Sequence, residues 1–217
     1  MVGAESTGTS TIAELLAEEY RCRGGVRART RCVSEAGRDY TLTKWQQARA
    51  VPATAGRPDP PLEELEWTAA DFDAVAAEQT RRENQAAAAG SPLLVCDTDA
   101  FATSVWERRY LGGRARGLQS WATTDLPRHD VYLLTSHEGV QWRDDGLREG
   151  DLKVRAAMTG WFVQGLTAAG QSWVMLTGSV AERLALAVRV TDAVLARRAA
   201  FSPGITDAAL ASDGGAR

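Results

Sequence analysis

Nine residues near the start of the chain, Gly3-Ala4-Glu5-Ser6-Thr7-Gly8-Thr9-Ser10-Thr11, carry the strongest chemical pattern in the sequence. A phosphate-binding loop reads glycine, four residues, glycine, lysine, then serine or threonine at the opening of a helix. Gly3, Gly8 and Ser10 fall on that pattern. The amides of a tight loop at a helix N-terminus attract phosphate whatever the side chains, and a hydroxyl at Ser10 can ligate magnesium. The lysine position, however, is Thr9. A charge-assisted contact to phosphate worth about 2 to 3 kcal/mol is thereby lost. The structural alternative is a glycine-serine turn before an ordinary helix.

A second signal is Asp97, which ends the apolar run Leu93-Leu94-Val95-Cys96. A buried strand of a phosphate-loop protein delivers at that point the acid that holds magnesium, directly or through water. Asp99 follows two residues later. Asp97 could instead cap the next helix, as acids at strand ends often do. Lys44 and Lys153 are the only lysines, so a replacement cation must almost always be an arginine. Cys22, Cys32 and Cys96, with His129 and His137, offer neither a disulfide framework nor a zinc spacing, and are read as free buried thiols and isolated imidazoles.

These residues need elements to hold them. Ile12, Leu15, Leu16 and Tyr20 recur at helical steps from Thr9, predicting a helix that starts at the Gly8 turn. Val26 to Val33 has the length of a short strand, and the polar segment Ser34 to Tyr40 after it reads as a functional loop. Five breakers between Val51 and Pro61 mark a surface loop. A helix is predicted from Trp67-Thr68-Ala69-Ala70-Asp71 to Gly90. Leu93 to Cys96, Val131 to Leu134 and Trp173 to Leu176 are continuous apolar runs, the mark of strands buried on both faces. With helical stretches between them, they describe an α/β domain with a parallel sheet flanked by helices. Leu184, Val188, Thr191 and Leu195 predict a last amphipathic helix. One phosphate-loop domain is expected over residues 1–201, with a loose tail at 202–217.

The chain has 217 residues and a net charge of −3, from 25 Lys+Arg against 28 Asp+Glu. That balance supplies no basic field for nucleic acid or an anionic membrane, and no apolar run approaches the roughly 20 residues of a membrane-spanning helix. The expectation is a cytoplasmic protein with a small-molecule substrate; the composition leaves its oligomeric state open.

Several blocks occur in a telling order: Gly3 to Gly8, Glu35-Ala36-Gly37-Arg38-Asp39-Tyr40, Trp67 to Phe72 with Gln79, Val95-Cys96-Asp97-Thr98-Asp99, Trp106 to Tyr110, Asp145-Gly146-Leu147-Arg148, and Leu176-Thr177-Gly178-Ser179. In that order the chain resembles, over nearly its whole length, the ribosylnicotinamide kinase domain of the NAD-biosynthesis protein NadR and its stand-alone P-loop ATPase relatives. The resemblance implies a P-loop NTPase of nucleoside-kinase type with ATP and magnesium as cofactors. The implied reaction phosphorylates the 5′-hydroxyl of nicotinamide riboside, giving nicotinamide mononucleotide. Gly3, Glu5, Ser6, Thr7, Gly8, Thr9, Ser10 and Thr11 would then hold ATP, with Ser10 and Asp97 on the metal. Glu35 would accept or orient the hydroxyl proton and Arg38 would steady the transferring group; a surface ion pair is the plain alternative. Arg148 and Arg155 lie in a charged segment resembling a lid, about 139–156, that closes over phosphates. Tyr40, Trp67 and Trp106 offer flat surfaces for stacking, Asp99 a partner for ribose hydroxyls, and Gly178, Ser179 and Arg183 an adenine contact. Two other readings keep the fold: an ATP-binding sensor without turnover, because of Thr9, or a kinase for another nucleoside.

A phosphate loop ordinarily hangs from a fully buried central strand, and here only Met1 and Val2 precede Gly3. About five apolar strand residues contribute roughly 1.5 to 3 kcal/mol each. The first central strand is therefore expected to be missing, with a short Val, Ile or Leu rich segment running into Val2 in the natural protein.

Overall fold

Five short strands, all paired in parallel, form the centre of the computed structural model, which describes residues 1–50, 64–116, 128–139 and 151–200. They are β1 (Val2–Gly3), β2 (Arg31–Val33), β3 (Leu94–Cys96), β4 (Tyr132–Thr135) and β5 (Trp173–Leu176). Pairing runs in two groups, β1-β4-β5 and β2-β3. Met1 joins them: its amino group donates to the Cys96 carbonyl at 2.7 Å, and its carbonyl accepts from the Thr98 amide at 2.8 Å. The composite order is thus β2-β3-β1-β4-β5, with β1 in the middle. The connection after β1 runs to β2 at one edge and the connection after β3 crosses to β4 on the other side, so a crevice opens at the C-terminal ends of β1 and β3, where open α/β sheets bind ligands. The expected α/β P-loop architecture is the one observed.

Among the described residues six α-helices cover the sheet: α1 (Thr9–Cys22), α2 (Ala36–Ala50), α3 (Ala69–Ala88), α4 (Ala100–Leu111), α5 (Leu152–Ala168) and α6 (Val180–Ala200). Alternation along β4 assigns the two faces. Tyr132 and Leu134 pack with Val2, Val105, Met158 and Phe162, under α4 and α5. Leu133 packs with Ile12, Leu16, Tyr20 and Ala187, under α1 and α6. Among the described residues no helix is long and apolar enough to cross a membrane.

Local signals set most helix starts. Gly8 takes a left-handed conformation, φ 82°, and caps α1, a backbone state that glycine adopts without penalty. Thr68 and Asp71 form a reciprocal capping box at α3. Three expectations need correction. Val26 to Val33 is a strand only at its end: residues Gly25–Arg29 form a 3-10 turn, and Val26 lies exposed. Arginines at every second position of 27–31 leave that stretch little apolar surface to bury. The segment after β2 is not a loop, since α2 begins at Ala36. Cys22 is exposed, while Cys96 is buried. The expected loop at 51–61, the lid between 140 and 150 with Arg148, and the tail at 202–217 lie outside the described residues.

Candidate active site

The phosphate-type loop spans the turn from β1 to α1. Gly3 is required by close approach: a Cβ there would lie 2.1 Å from Thr135 Oγ1 and 2.6 Å from Thr7 Oγ1. Ser6 holds φ 53°, an uncommon state for a non-glycine residue, and Gly8 φ 82°; left-handed residues of this kind belong to the tight loops whose amides bind anions. Beneath the loop three hydroxyls meet. Thr7 Oγ1 is 2.6 Å from Thr135 Oγ1, and Thr9 Oγ1 is 3.0 Å from the same atom. Thr9, in the lysine position, is therefore tied into the base of the loop and carries no charge over it.

Positive charge reaches the loop from two buried arginines. Arg155, 1% exposed, donates from Nη2 to the Ser6 carbonyl at 3.2 Å, while its Nε and Nη1 are buried without a hydrogen-bond partner. It lies in the first turn of α5, so the expectation of a loop-borne lid residue is corrected to a helical, buried one. Arg183, 2% exposed, donates to the carbonyls of Gly178, Thr7, Ser136 and Glu138. It clamps the loop to the turns after β4 and β5. Burial lowers the proton affinity of both guanidiniums; the Glu5 charge opposes this at Arg155, and the neighbouring Arg155 cation adds to it at Arg183. A desolvated cation with unmet donors favours an anion beside it, and the buried Glu5 carboxylate already supplies charge at Arg155.

A cleft beside the loop is lined by Glu5, Glu35, Arg38, Trp67, Thr98 and Trp106. Glu35 stands just before α2, whose first amide, on Ala36, donates to the Gln79 side chain at 3.0 Å. Gln79, fully buried on α3, in turn donates to Glu83 at 3.1 Å and to the Thr98 carbonyl at 3.4 Å, so α2, α3 and the β3–α4 turn are held as one frame. Trp67 meets Tyr110 at 5.1 Å and Phe72 at 5.3 Å, and Trp106 stacks on Tyr110 at 6.3 Å, building one aromatic wall. Asp97 ends β3, the strand beside β1, and Ser10 opens α1, so both stand at the same edge of the sheet.

Other expected site residues lie elsewhere. Tyr40 is not on the cleft; its hydroxyl donates to Asp71 at 2.8 Å behind Trp67. Asp71 also accepts from Lys44 at 2.8 Å. Burial raises its pKa, but the bonds from Lys44, Thr68 and Tyr40 outweigh that and bring it to about 2. Asp99 faces away from the cleft. Its carboxylate caps α4 through the Ala102 amide at 2.8 Å, accepts from Tyr132 at 2.6 Å, and lies 3.3 Å from His129 Nε2. The cap of this helix is thus Asp99 and not Asp97, the acid for which capping was the alternative. Ser179 forms a reciprocal cap with Glu182 at α6, and Arg183 serves the loop rather than an adenine contact. Thr135 and Gln79 had no assigned role from sequence; the polar residue closing each apolar run was the only trace of Thr135.

Compared with known protein families, residues 1–183 match the model described as an AAA domain. No curated protein matches the chain.

Proposed function

Since the chain belongs to this AAA domain family, a nucleotide-binding family of the P-loop type, we propose that it binds ATP with magnesium and phosphorylates a small ribonucleoside, nicotinamide riboside first among the acceptors. The observation that carries this reading is one cleft bringing Glu35 and Arg38 together with Trp67, Trp106 and the loop residue Glu5. The amides of Ser6 to Gly8 and the unmet donors of Arg155 suit phosphate oxygens, and Ser10 with Asp97 suits a hard divalent cation. Bound ATP supplies the phosphoryl group. Glu35 accepts the proton of the acceptor hydroxyl, Arg38 holds charge on the transferring group, and the tryptophans fix the base so that the ribose hydroxyl faces the loop. Arg155 stands in for the lysine that Thr9 replaces.

The test is a panel of nucleosides incubated with ATP and magnesium and read by a mass gain of one phosphate. Calorimetry with ATP and magnesium on Ser10→Ala and Asp97→Ala adds the binding half; unchanged affinity in both removes the phosphate-loop reading. Thr9, held by Thr135, favours a second reading, an ATP-binding sensor. Nucleotide binding with no nucleoside-dependent ADP release selects it.

A further inference from the structure

A second polar cluster lies behind Asp99, away from the cleft. It joins Glu83 of α3, Cys96 at the end of β3, Asp99 at the cap of α4 and His129 shortly before β4, none of which lines the cleft. One ligand atom each from Glu83, Cys96 and His129 lie within 4.8 Å of one another. Glu83 Oε2 is 3.6 Å and Asp99 Oδ2 3.3 Å from His129 Nε2. That nitrogen is shielded from water, yet neither carboxylate meets it in hydrogen-bond geometry. Two carboxylates, 3% and 4% exposed, thus converge with a buried thiol on one imidazole. Burial pushes the Glu83 carboxyl up from its ordinary value, against the weaker pull of His129. Buried acids in this setting call for a cation.

From this geometry we infer a binding site for a divalent transition metal of the zinc class, ligated by Glu83, Cys96 and His129, with one position left for water and the Asp99 charge beside it. The donor set decides the class. A thiolate with an imidazole suits zinc and its neighbours, whereas magnesium takes oxygen ligands and suits Ser10 and Asp97 at the loop. Bonds of about 2.0 to 2.3 Å set ligand atoms roughly 3.3 to 3.8 Å apart, so the cluster closes by about 1 Å around the ion. His129 supplies that movement, since it stands outside β4 and a fifth of its side chain is exposed, which also gives the ion entry. Partners outside the cluster already aim its members. Gln79 donates to Glu83 Oε1 at 3.1 Å, leaving Oε2 to the ion. The Ala102 amide and the Tyr132 hydroxyl hold the two oxygens of Asp99, and the Tyr132 ring meets His129 edge-on at 5.3 Å. On binding, the Cys96 thiol gives its proton to solvent, and the imidazole coordinates through Nε2 with its proton on Nδ1. The ligands are 13 and 33 positions apart in the chain, so no short spacing announces them. The ion would tie α3 to β3 and to the approach to β4, next to the Gln79 contacts that hold α2.

The experiment takes the full 217-residue chain, reduced and stripped with a chelator, and titrates it with Co²⁺ and then Zn²⁺ alone. One Co²⁺ per chain is expected, with a thiolate-to-cobalt charge-transfer band that Zn²⁺ erases. Zn²⁺ at about 100 times its Kd should raise the melting temperature by roughly 5 to 10 °C. Cys96→Ser should abolish the band. His129→Gln, at a partly exposed position, should weaken Co²⁺ binding about 100-fold or more and leave the metal-free protein folded. Cys22→Ser with Cys32→Ser should leave the band and the affinity unchanged. No charge-transfer band, a band that survives Cys96→Ser, or an affinity that His129→Gln does not alter overturns the inference. Ser10→Ala, which removes a magnesium ligand of the functional reading, should keep the cobalt band, so either reading can fail without the other.

Discussion

Arg155 and Ser6 are 149 positions apart in the chain and 3.2 Å apart in space, the guanidinium donating to the carbonyl of the phosphate-type loop. Two further nitrogens of the same side chain are buried without partners. Replacing it with an isosteric apolar residue separates charge from packing. Arg155→Met is expected to weaken ATP binding about 10- to 100-fold by calorimetry, the worth of one or two charge-assisted bonds. The melting temperature should fall, because the buried Glu5 carboxylate loses its neighbouring cation and the Ser6 carbonyl its donor. Unchanged affinity would separate Arg155 from the phosphates.

Thr9→Lys tests the alternative source of charge. The substitution withdraws one hydroxyl from the Thr135 cluster and adds a cation over the loop. If Arg155 serves the phosphates, nucleoside-dependent ADP release should change by no more than a few-fold. Activity arising only in the variant selects the sensor reading.

Gly3→Ala should be severe, because the new Cβ meets Thr135 Oγ1 at 2.1 Å with Thr7 Oγ1 behind it. A loss of about 2 to 4 kcal/mol is expected in denaturant unfolding. Adding Thr135→Ala removes the nearer clash and leaves the 2.6 Å contact to Thr7, so it should recover part of the loss.

The aromatic wall separates a binding role from a supporting one. Trp67→Ala should raise the acceptor KM about 10-fold or more, by loss of a stacking face. Tyr40→Phe, which touches Asp71 behind the wall, should leave KM within two-fold and lower only the melting temperature.

Asp71 gives the acid response a definite sign. Its folded pKa of about 2 lies below the ordinary 3.8, so its stabilising contribution is full above about pH 5 and is lost as the pH falls through 3.8 toward 2. Circular dichroism of urea unfolding between pH 2 and 5 should show a slope that Asp71→Asn reduces by up to one proton. An identical slope in both proteins would show that the Lys44 and Tyr40 bonds do not hold the ionised form.

Some of this was legible in the residues themselves. Glycine at Gly8, the Thr68 and Asp71 cap, and the apolar runs at β3, β4 and β5 act through their own neighbours, so their consequences can be read over a few positions. That is why the starts of α1 and α3, these three strands and the loop are legible, although β5 is buried only at Leu176 and the start of α2 is missed. The polar residues behaved otherwise. Asp97 and Asp99 are two positions apart on the same turn, yet the second is taken up by the Ala102 amide and by the hydroxyl of Tyr132, 33 positions away. Arg155 reads in sequence as part of a charged, lid-like segment and is one of the most buried side chains through the packing of α5. Thr9 could be seen to lack a charge, but only the placement of Thr135 tied its hydroxyl to the base of the loop. A polar side chain carries no periodic signature of its partner, and the free energy of burying it depends on whether a partner from a distant segment arrives. Chain connectivity sets the elements, while their packing decides which charges meet.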